Sequence, residues 1–101
     1  MKNMVSVEDY VFIVHWDLAE ESYMELIELL RTIWCHKYGT MKTNKDCTKM
    51  ELHTGGWSEN EEIISALRQS QFWRAFWWKT ERGGHYYFKG MKDLKGSNIG
   101  K

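Results

Sequence analysis

The sequence predicts an α+β domain in which two helices pack on one face of a mostly antiparallel sheet, in the order β-α-β-β-α-β-β. Three observations favour this class: a long amphipathic stripe in the first half, short alternating segments of strand length, and paired glycines where tight turns are expected. The first six elements follow the ferredoxin-like order, and one more strand is expected after them.

The first two predicted elements come from the N-terminal third of the chain. Residues 10–16 (YVFIVHW) are almost continuously apolar, and their length and β-branched content predict a strand buried on both faces. A helix is expected next, because Asp17 and Glu20 have capping-box spacing and Gly39 suits the position after a helix end. Its apolar stripe recurs at helical spacing and contains Tyr23, Leu26, Ile27, Leu30, Ile33, Trp34 and Tyr38.

The middle of the chain predicts a hairpin over residues 40–54. Its first strand is weak, polar residues supply the turn, and residues 47–53 alternate so that Met50 and Leu52 face inward.

A shorter helix is expected after this hairpin. Gly55 and Gly56 end the strand, and Ser58 and Glu61 then have capping-box spacing, which predicts a helix that runs to about residue 70.

The next segment contains an aromatic run at residues 72–78, whose spacing fits either a helix or a strand. Gly83 and Gly84 stand where a two-residue hairpin turn needs positive φ. We therefore expect paired strands over residues 74–81 and 86–89.

Composition restricts the location and the partners. The 101 residues fit one domain, predicted as residues 1–90 with a flexible tail over 91–101. The net charge is zero, which argues against a nucleic-acid partner. No secretory leader and no apolar run of ~20 residues is recognisable, so we expect a cytoplasmic protein with reduced cysteines and no membrane partner.

Two stretches carry a resemblance to other proteins: residues 51–58 (ELHTGGWS) with Asn60 and Glu61, and residues 82–88 (RGGHYYF). They are similar to motifs in a group of small uncharacterised phage and prophage proteins, and the resemblance covers roughly the second half of the chain. It implies a viral origin, the fold of that group and the cytoplasm of a host cell. It supplies no catalytic residues, but by analogy it favours inhibition of a host defence protein.

The first candidate site consists of the two glycine loops. A strand end followed by a helix start exposes N–H groups that can hold an anion, although a plain turn and helix cap would explain the same residues. Arg82 offers a planar donor fork and His85 a group that titrates near neutrality, whereas the alternative is a solvated hairpin tip. If the loops meet, the predicted ligand-binding residues are Thr54, Gly55, Gly56, Trp57, Ser58, Asn60, Glu61, Arg82 and His85.

The second candidate is an aromatic interface, predicted as Trp73, Trp77, Trp78 and Tyr87. Such rings, interleaved with Arg74 and Lys79, can stack on bases, but core packing explains most of them in a neutral domain of this size.

Metal and catalytic chemistry have less support. The histidines and cysteines (His15, His36, His53, His85, Cys35 and Cys47) lack the paired spacing of zinc ligands, so no metal site and no cofactor are predicted. Cys47 and His53 share one strand face but lie too far apart along it for a nucleophile and its base.

The leading hypothesis is a non-enzymatic phage accessory protein that binds and inhibits a host protein through its aromatic surface. Two alternatives stay open: a protein that sequesters a nucleotide or another anion between the glycine loops, and a small enzyme that uses His85 and Glu61. Self-association through the aromatic face of the sheet is a further expectation.

Overall fold

A computed structural model describes residues 5–94 as four helices and one four-stranded antiparallel sheet, which confirms the α+β class. In chain order the elements are α1 (Val7–Val14), α2 (Tyr23–Ile33), β1 (Thr40–Thr43), β2 (Lys49–His53), α3 (Ser58–Arg68), α4 (Gln71–Phe76), β3 (Trp77–Glu81) and β4 (His85–Lys89). Within that described part of the chain, no helix is both long and apolar enough to cross a membrane.

The predicted first strand is wrong, because residues 10–16 lie in α1 and just after it. The Ser6 hydroxyl caps this helix by accepting a hydrogen bond from the backbone N–H of Asp9 at 3.1 Å. A continuous apolar run does not distinguish a buried strand from a helix, and this local cap favours the helix. The order is therefore α-α-β-β-α-α-β-β, and the ferredoxin-like order is not found.

The long helix of the first half begins later than its capping-box spacing predicts. Ser22 caps α2, with its hydroxyl 3.2 Å from the backbone nitrogen of Met24. Asp17 instead stabilises a separate turn, in which its carboxylate accepts from the N–H of Ala19 at 2.9 Å. The buried face of α2 contains Tyr23, Leu26, Ile27 and Leu30 of the predicted stripe. The helix ends at Ile33 rather than near Gly39, so Trp34 and Tyr38 lie after it, and Tyr38 is exposed.

The sheet has the strand order β1-β2-β4-β3, so β2 and β4 are central. The predicted hairpin over residues 40–54 is confirmed, and Met50 and Leu52 are buried as expected. Their cross-strand partners are Phe88 and Tyr86, which face the same core.

The aromatic run is split between a helix and a strand. Residues 74–76, predicted as strand, complete α4, because Ser70 caps a short helix that buries Phe72 and Phe76. The strand β3 begins only at Trp77, with a register shift between Trp77 and Lys79. Its turn has three residues rather than two, since Glu81 pairs with His85.

The start of the predicted tail packs against the domain. Met91 is buried, and the Asp93 carboxylate accepts hydrogen bonds from the backbone N–H of Tyr23 at 2.9 Å and from the Ser22 hydroxyl at 3.2 Å. These contacts tie residues 91–94 to the start of α2. Residues 95–101 of that tail lie outside the described residues.

Alternation along the strands leaves one face of the sheet without a helix over it among the described residues, and we call it the open face. Its side chains come from all four strands: Thr40, Lys42, Lys49, Glu51, His53, Trp78, Lys79, Glu81, His85, Tyr87 and Lys89.

Candidate functional site

The two glycine loops meet at one end of the sheet. The backbone N–H of Thr54 donates to the carbonyl oxygen of Gly84 at 3.0 Å. A Cβ on Gly84 would collide with the Thr54 hydroxyl and lie 3.6 Å from Oε2 of Glu61. Gly84 also has a φ of +85°, so both its backbone conformation and the close approach require glycine.

The polar side chains at this junction bond chiefly to one another. The Thr54 hydroxyl donates to Glu61 at 2.6 Å and accepts from the N–H of Gly56 at 3.2 Å. The predicted capping box is therefore not formed: Trp57 is the N-cap of α3 without a side-chain hydrogen bond, and Ser58 is exposed. Glu61 reaches back to the strand end rather than to the cap.

Asn60 fixes the same junction from inside. Its side chain is 0% exposed and accepts from the N–H of Cys35 at 2.8 Å. Its amide nitrogen donates to the carbonyl oxygens of Cys35 at 3.1 Å and Thr54 at 3.2 Å. Asn60 thus fastens the segment after α2 to the first glycine loop, which gives it a structural function.

The structure assembles only part of the predicted ligand site. Thr54, Asn60 and Glu61 converge with both loops, and the Trp57 ring stacks on Tyr38 with centroids 4.4 Å apart. Arg82 is exposed at the hairpin tip. Glu61 and His85 have separate partners, Thr54 and His53, so they do not form an acid–base pair with each other.

A pair of histidines lies on the open face beside the junction. His53 and His85 are cross-strand partners on β2 and β4, and their Nδ1 atoms are 2.6 Å apart. Nε2 of His53 lies 3.1 Å from Oε1 of Glu51, and the Tyr87 ring packs edge-on against His53 with centroids 5.8 Å apart. Two facing nitrogens at this distance form a hydrogen bond when one of them donates and the other accepts.

The sequence did not predict this pair: His53 was paired with Cys47, His85 with Arg82 or Glu61, and the four histidines were considered together only by their spacing along the chain. Each histidine adjoins a glycine loop, and each occupies the outward phase of its strand. This shared position is the sequence feature that could have indicated a histidine pair. The register that sets them opposite each other depends on which strands pair.

A second group of side chains on the open face, Trp78, Lys79, Tyr87 and Lys89, forms what we call the aromatic–lysine cluster. The ammonium of Lys89 lies 4.2 Å from the Trp78 ring centroid, and that of Lys79 lies 4.8 Å from the same centroid. Lys79 is also 4.8 Å from the Tyr87 centroid. Trp78 is nonetheless 45% exposed, so the cluster offers an accessible ring flanked by two cations.

Glu81 adds a negative charge at the edge of this cluster. The Tyr87 hydroxyl donates to Glu81 at 3.0 Å, and this bond, followed by contact with Lys79, holds the pKa of the Glu81 carboxyl below its ordinary value. The same hydrogen bond raises the pKa of the Tyr87 phenol. The hydrogen bond therefore favours the ionised form of Glu81 and the neutral form of Tyr87.

The four predicted interface residues do not share one surface. Trp73 packs edge-on against Tyr86 and Phe88, and Trp77 stacks on Trp73 with centroids 5.9 Å apart. Trp78 and Tyr87 lie instead on the open face, with centroids 6.5 Å apart. The two pairs thus belong to opposite sides of the sheet.

A cavity of about 250 Å³ lies against the β1–β2 hairpin and contains two lysines from the open face. Its lining consists of Lys42, Thr43, Asn44, Lys49, Met50 and Glu51. The basic character of the open face therefore extends from β3 across to β1.

The chain was compared with protein-family models, with curated proteins and with solved structures, and no match was found in any of the three.

Proposed function

We propose that this protein is a binding module that docks a partner protein on its open face, with the aromatic–lysine cluster as the central contact. The observation that carries the proposal is Trp78, a large ring that is 45% exposed between two lysines on the open face. Tryptophan is among the residues that most often dominate the binding energy of protein interfaces. A tryptophan between two ammonium groups can pack against aromatic side chains of a partner, while the lysines attract its acidic side chains.

The mixed charge of this face favours a protein over a nucleic acid. Four lysines lie on it, but so do Glu51 and Glu81, and Glu81 is kept ionised by its neighbours. A phosphate backbone would meet these carboxylates, and the whole chain has no net positive charge to attract one. A protein surface can place donors opposite the carboxylates and acids opposite the lysines.

The position of β3 supplies a second means of contact. It is the last strand in the order β1-β2-β4-β3, so its outer edge has no strand partner among residues 5–94. An exposed edge can pair with a strand from another protein through main-chain hydrogen bonds. A partner strand added there would lie beside Trp78.

The resemblance of the second half to phage and prophage proteins makes a bacterial host protein the expected partner. Inhibition of a host defence protein is the effect that we propose, and self-association is a second outcome that the same surface supports. Neither outcome requires catalysis by this chain.

The test compares capture of proteins from a bacterial lysate by the immobilised wild-type protein and by single variants. We expect Trp78→Ala and Lys89→Ala to lose a protein that the wild type retains, and we expect added salt to weaken its capture. Tyr38→Ala is the matched control for an exposed ring, since Tyr38 is 48% exposed away from the cluster. Lys45→Ala, in the exposed β1–β2 turn, is the control for a lost lysine.

Retention of the same protein by Trp78→Ala and Lys89→Ala would contradict the proposed surface. Loss with Tyr38→Ala alone would move the interface to the glycine-loop junction. Size-exclusion chromatography of wild type and Trp78→Ala separates self-association from binding to a host protein.

The contact between the glycine loops supports a second candidate function, which is the binding of a nucleotide or another anion. Arg82 at the hairpin tip and the start of α3 would supply the donors, while the Glu61 carboxyl at the loop junction would oppose an anion. A thermal-shift panel of phosphate and nucleotides tests this, because a ligand of the folded state raises the melting temperature. The shift should disappear in Arg82→Ala, and a panel without any shift would exclude phosphate and the tested nucleotides as ligands.

A further inference from the structure

We propose that His53 and His85 form a zinc-binding site on the open face, with two protein ligands and a supporting carboxylate. Their Nδ1 atoms are 2.6 Å apart and their ring centroids 4.8 Å apart, so the two Nδ1 positions face each other across a short gap. Imidazole nitrogen is a preferred ligand of zinc and of other late first-row divalent ions. The site is independent of whether the open face binds a partner protein.

Glu51 gives the pair the second feature of a histidine metal site. Its carboxylate oxygen lies 3.1 Å from Nε2 of His53, on the side of the ring away from His85. When Nε2–H donates to this carboxylate, the lone pair of neutral His53 is on Nδ1. A carboxylate behind a histidine ligand fixes the tautomer and raises the basicity of the coordinating nitrogen.

Without a metal, one hydrogen bond joins the two histidine rings. With the Nδ1 lone pair of His53 as acceptor, His85 donates its own Nδ1–H across the 2.6 Å gap. Zinc replaces this hydrogen, and the His85 proton moves to Nε2, which faces Gly83 at the hairpin tip. No proton is lost from the neutral pair, and both Nδ1 lone pairs then bind the ion.

Zinc binding requires the His53 and His85 rings to move from their hydrogen-bonded positions. Two nitrogens bound to tetrahedral zinc at ~2.0–2.1 Å lie about 3.3 Å from each other. The two nitrogens must therefore separate by about 0.7 Å, and both rings must turn out of their head-on arrangement so that each Nδ1 lone pair points at the ion. Rotation of the two side chains on the open surface allows both changes. The His53 side chain is 20% exposed, so the ion and its waters have access to the pair.

Zinc at this position would have two ligands from the chain and others from water. Across residues 5–94, no group of three or more His, Cys, Asp or Glu side chains could hold a metal ion. The remaining histidines lie elsewhere: His36 contacts the carbonyl oxygen of Arg31 at 2.8 Å, and His15 follows α1. We therefore expect one site per chain, weaker than a four-ligand structural zinc and open to an outside donor.

Isothermal titration of the full chain with zinc chloride tests the proposal. We expect one zinc ion per chain for the wild type, loss of this binding in His53→Gln and in His85→Gln, and a 10–100-fold weaker affinity in Glu51→Gln, as for other carboxylates behind metal-binding histidines. His36→Gln and Cys47→Ser are matched controls that should bind like the wild type. Circular dichroism of each variant confirms that it is folded.

The ring nitrogens of the unmodified protein give a readout that needs no variant. Zinc should shift the ¹⁵N resonances of Nδ1 in His53 and His85, while those of His15 and His36 stay unchanged. Absence of zinc binding to the wild type, wild-type affinity in both His53→Gln and His85→Gln, or shifts confined to other histidines would each overturn the site.

Discussion

At the scale of single residues, glycine is required at Gly84 for two reasons and at Gly56 for only one. Both have positive φ, +85° and +74°, but a Cβ would collide with Thr54 at Gly84 and would meet nothing within 4 Å at Gly56. The two positions therefore separate backbone strain from steric contact at the loop junction.

We expect Gly56→Ala to lower the free energy of unfolding by about 1–2 kcal/mol, the cost of a left-handed conformation in a residue with a Cβ. Gly84→Ala should cost more than this by at least about 1 kcal/mol, because Thr54 must also move. Urea denaturation measures both. Equal losses in the two variants would show that the loops do not pack as closely as described.

The hydrogen bond between Tyr87 and Glu81 should make the stability of the fold depend on pH. A lowered pKa of Glu81 means that this bond stabilises the fold above the carboxyl pKa of the unfolded chain, and that the stabilisation is lost as the pH falls through the folded value. A raised pKa of Tyr87 means that the stabilisation is also lost as the pH rises through the folded value of the phenol.

Tyr87→Phe should therefore be less stable than the wild type near neutral pH, and this difference should shrink at both acid and alkaline extremes. Carboxyl titration by NMR gives the direct measurement: the pKa of Glu81 should rise toward its ordinary value in Tyr87→Phe. Lys79 would continue to lower it in part. An unchanged Glu81 titration would show that the phenol does not hold the carboxylate.

At the scale of the elements, serine caps determine where the helices begin. Ser6, Ser22 and Ser70 each accept a hydrogen bond from a backbone N–H at the start of α1, α2 and α4. Ser58 does not, although its spacing from Glu61 resembles a capping box. Glu61 accepts a hydrogen bond from the Thr54 hydroxyl instead of bonding to the helix cap, because the buried threonine would otherwise lack an acceptor for its O–H.

Replacing two of these serines tests that difference. Ser58→Ala should change the free energy of unfolding by less than about 0.5 kcal/mol, as for an exposed site without special contacts. Ser70→Ala should cost about 1–2 kcal/mol, because its buried hydroxyl bonds both Leu67 and Trp73. Thermal or urea unfolding distinguishes the two variants. A large loss of stability in Ser58→Ala would show that Ser58 and Glu61 form the capping box after all.

At the scale of the whole molecule, segments distant in sequence share one core. The side chain of Met91, beyond the last strand, is 1% exposed within the same cluster as α2 and α3. Asp93 bonds to the start of α2, which lies 70 residues earlier in the chain. The folded unit therefore extends past the boundary at residue 90 that composition indicated.

Met91→Ala should lower the free energy of unfolding by about 2–4 kcal/mol, as for other large-to-small replacements in a core. Lys92→Ala is the control, since that side chain is exposed beside it. A chain that ends at residue 90 should unfold at a lower temperature than the full chain. If Met91→Ala matches Lys92→Ala in stability, the C-terminal segment does not contribute to the core.

The sequence predicted the features that depend on neighbouring residues. Alternation around Met50 and Leu52 identified the hairpin and its inward face, and the stripe over Tyr23–Leu30 identified the buried side of α2. Local signals failed where two structures satisfy the same pattern. The run at residues 10–16 is apolar enough for a strand, and the run at residues 72–78 fits either type, and in both places a serine cap, Ser6 or Ser70, begins a helix.

The sequence by itself therefore determined the α+β class, the positions of the glycine turns and the inward phase of Met50 and Leu52, because each depends on short-range periodicity and on backbone freedom. Only the tertiary structure decided that β2 pairs with β4, and this pairing sets the histidines opposite each other. The aromatic–lysine cluster depends instead on the β3–β4 hairpin, where a register shift beside Trp77 brings Lys79 and Lys89 to the Trp78 ring. Strand pairing joins residues more than 30 positions apart, and its register minimises the free energy of the whole core rather than that of any local segment.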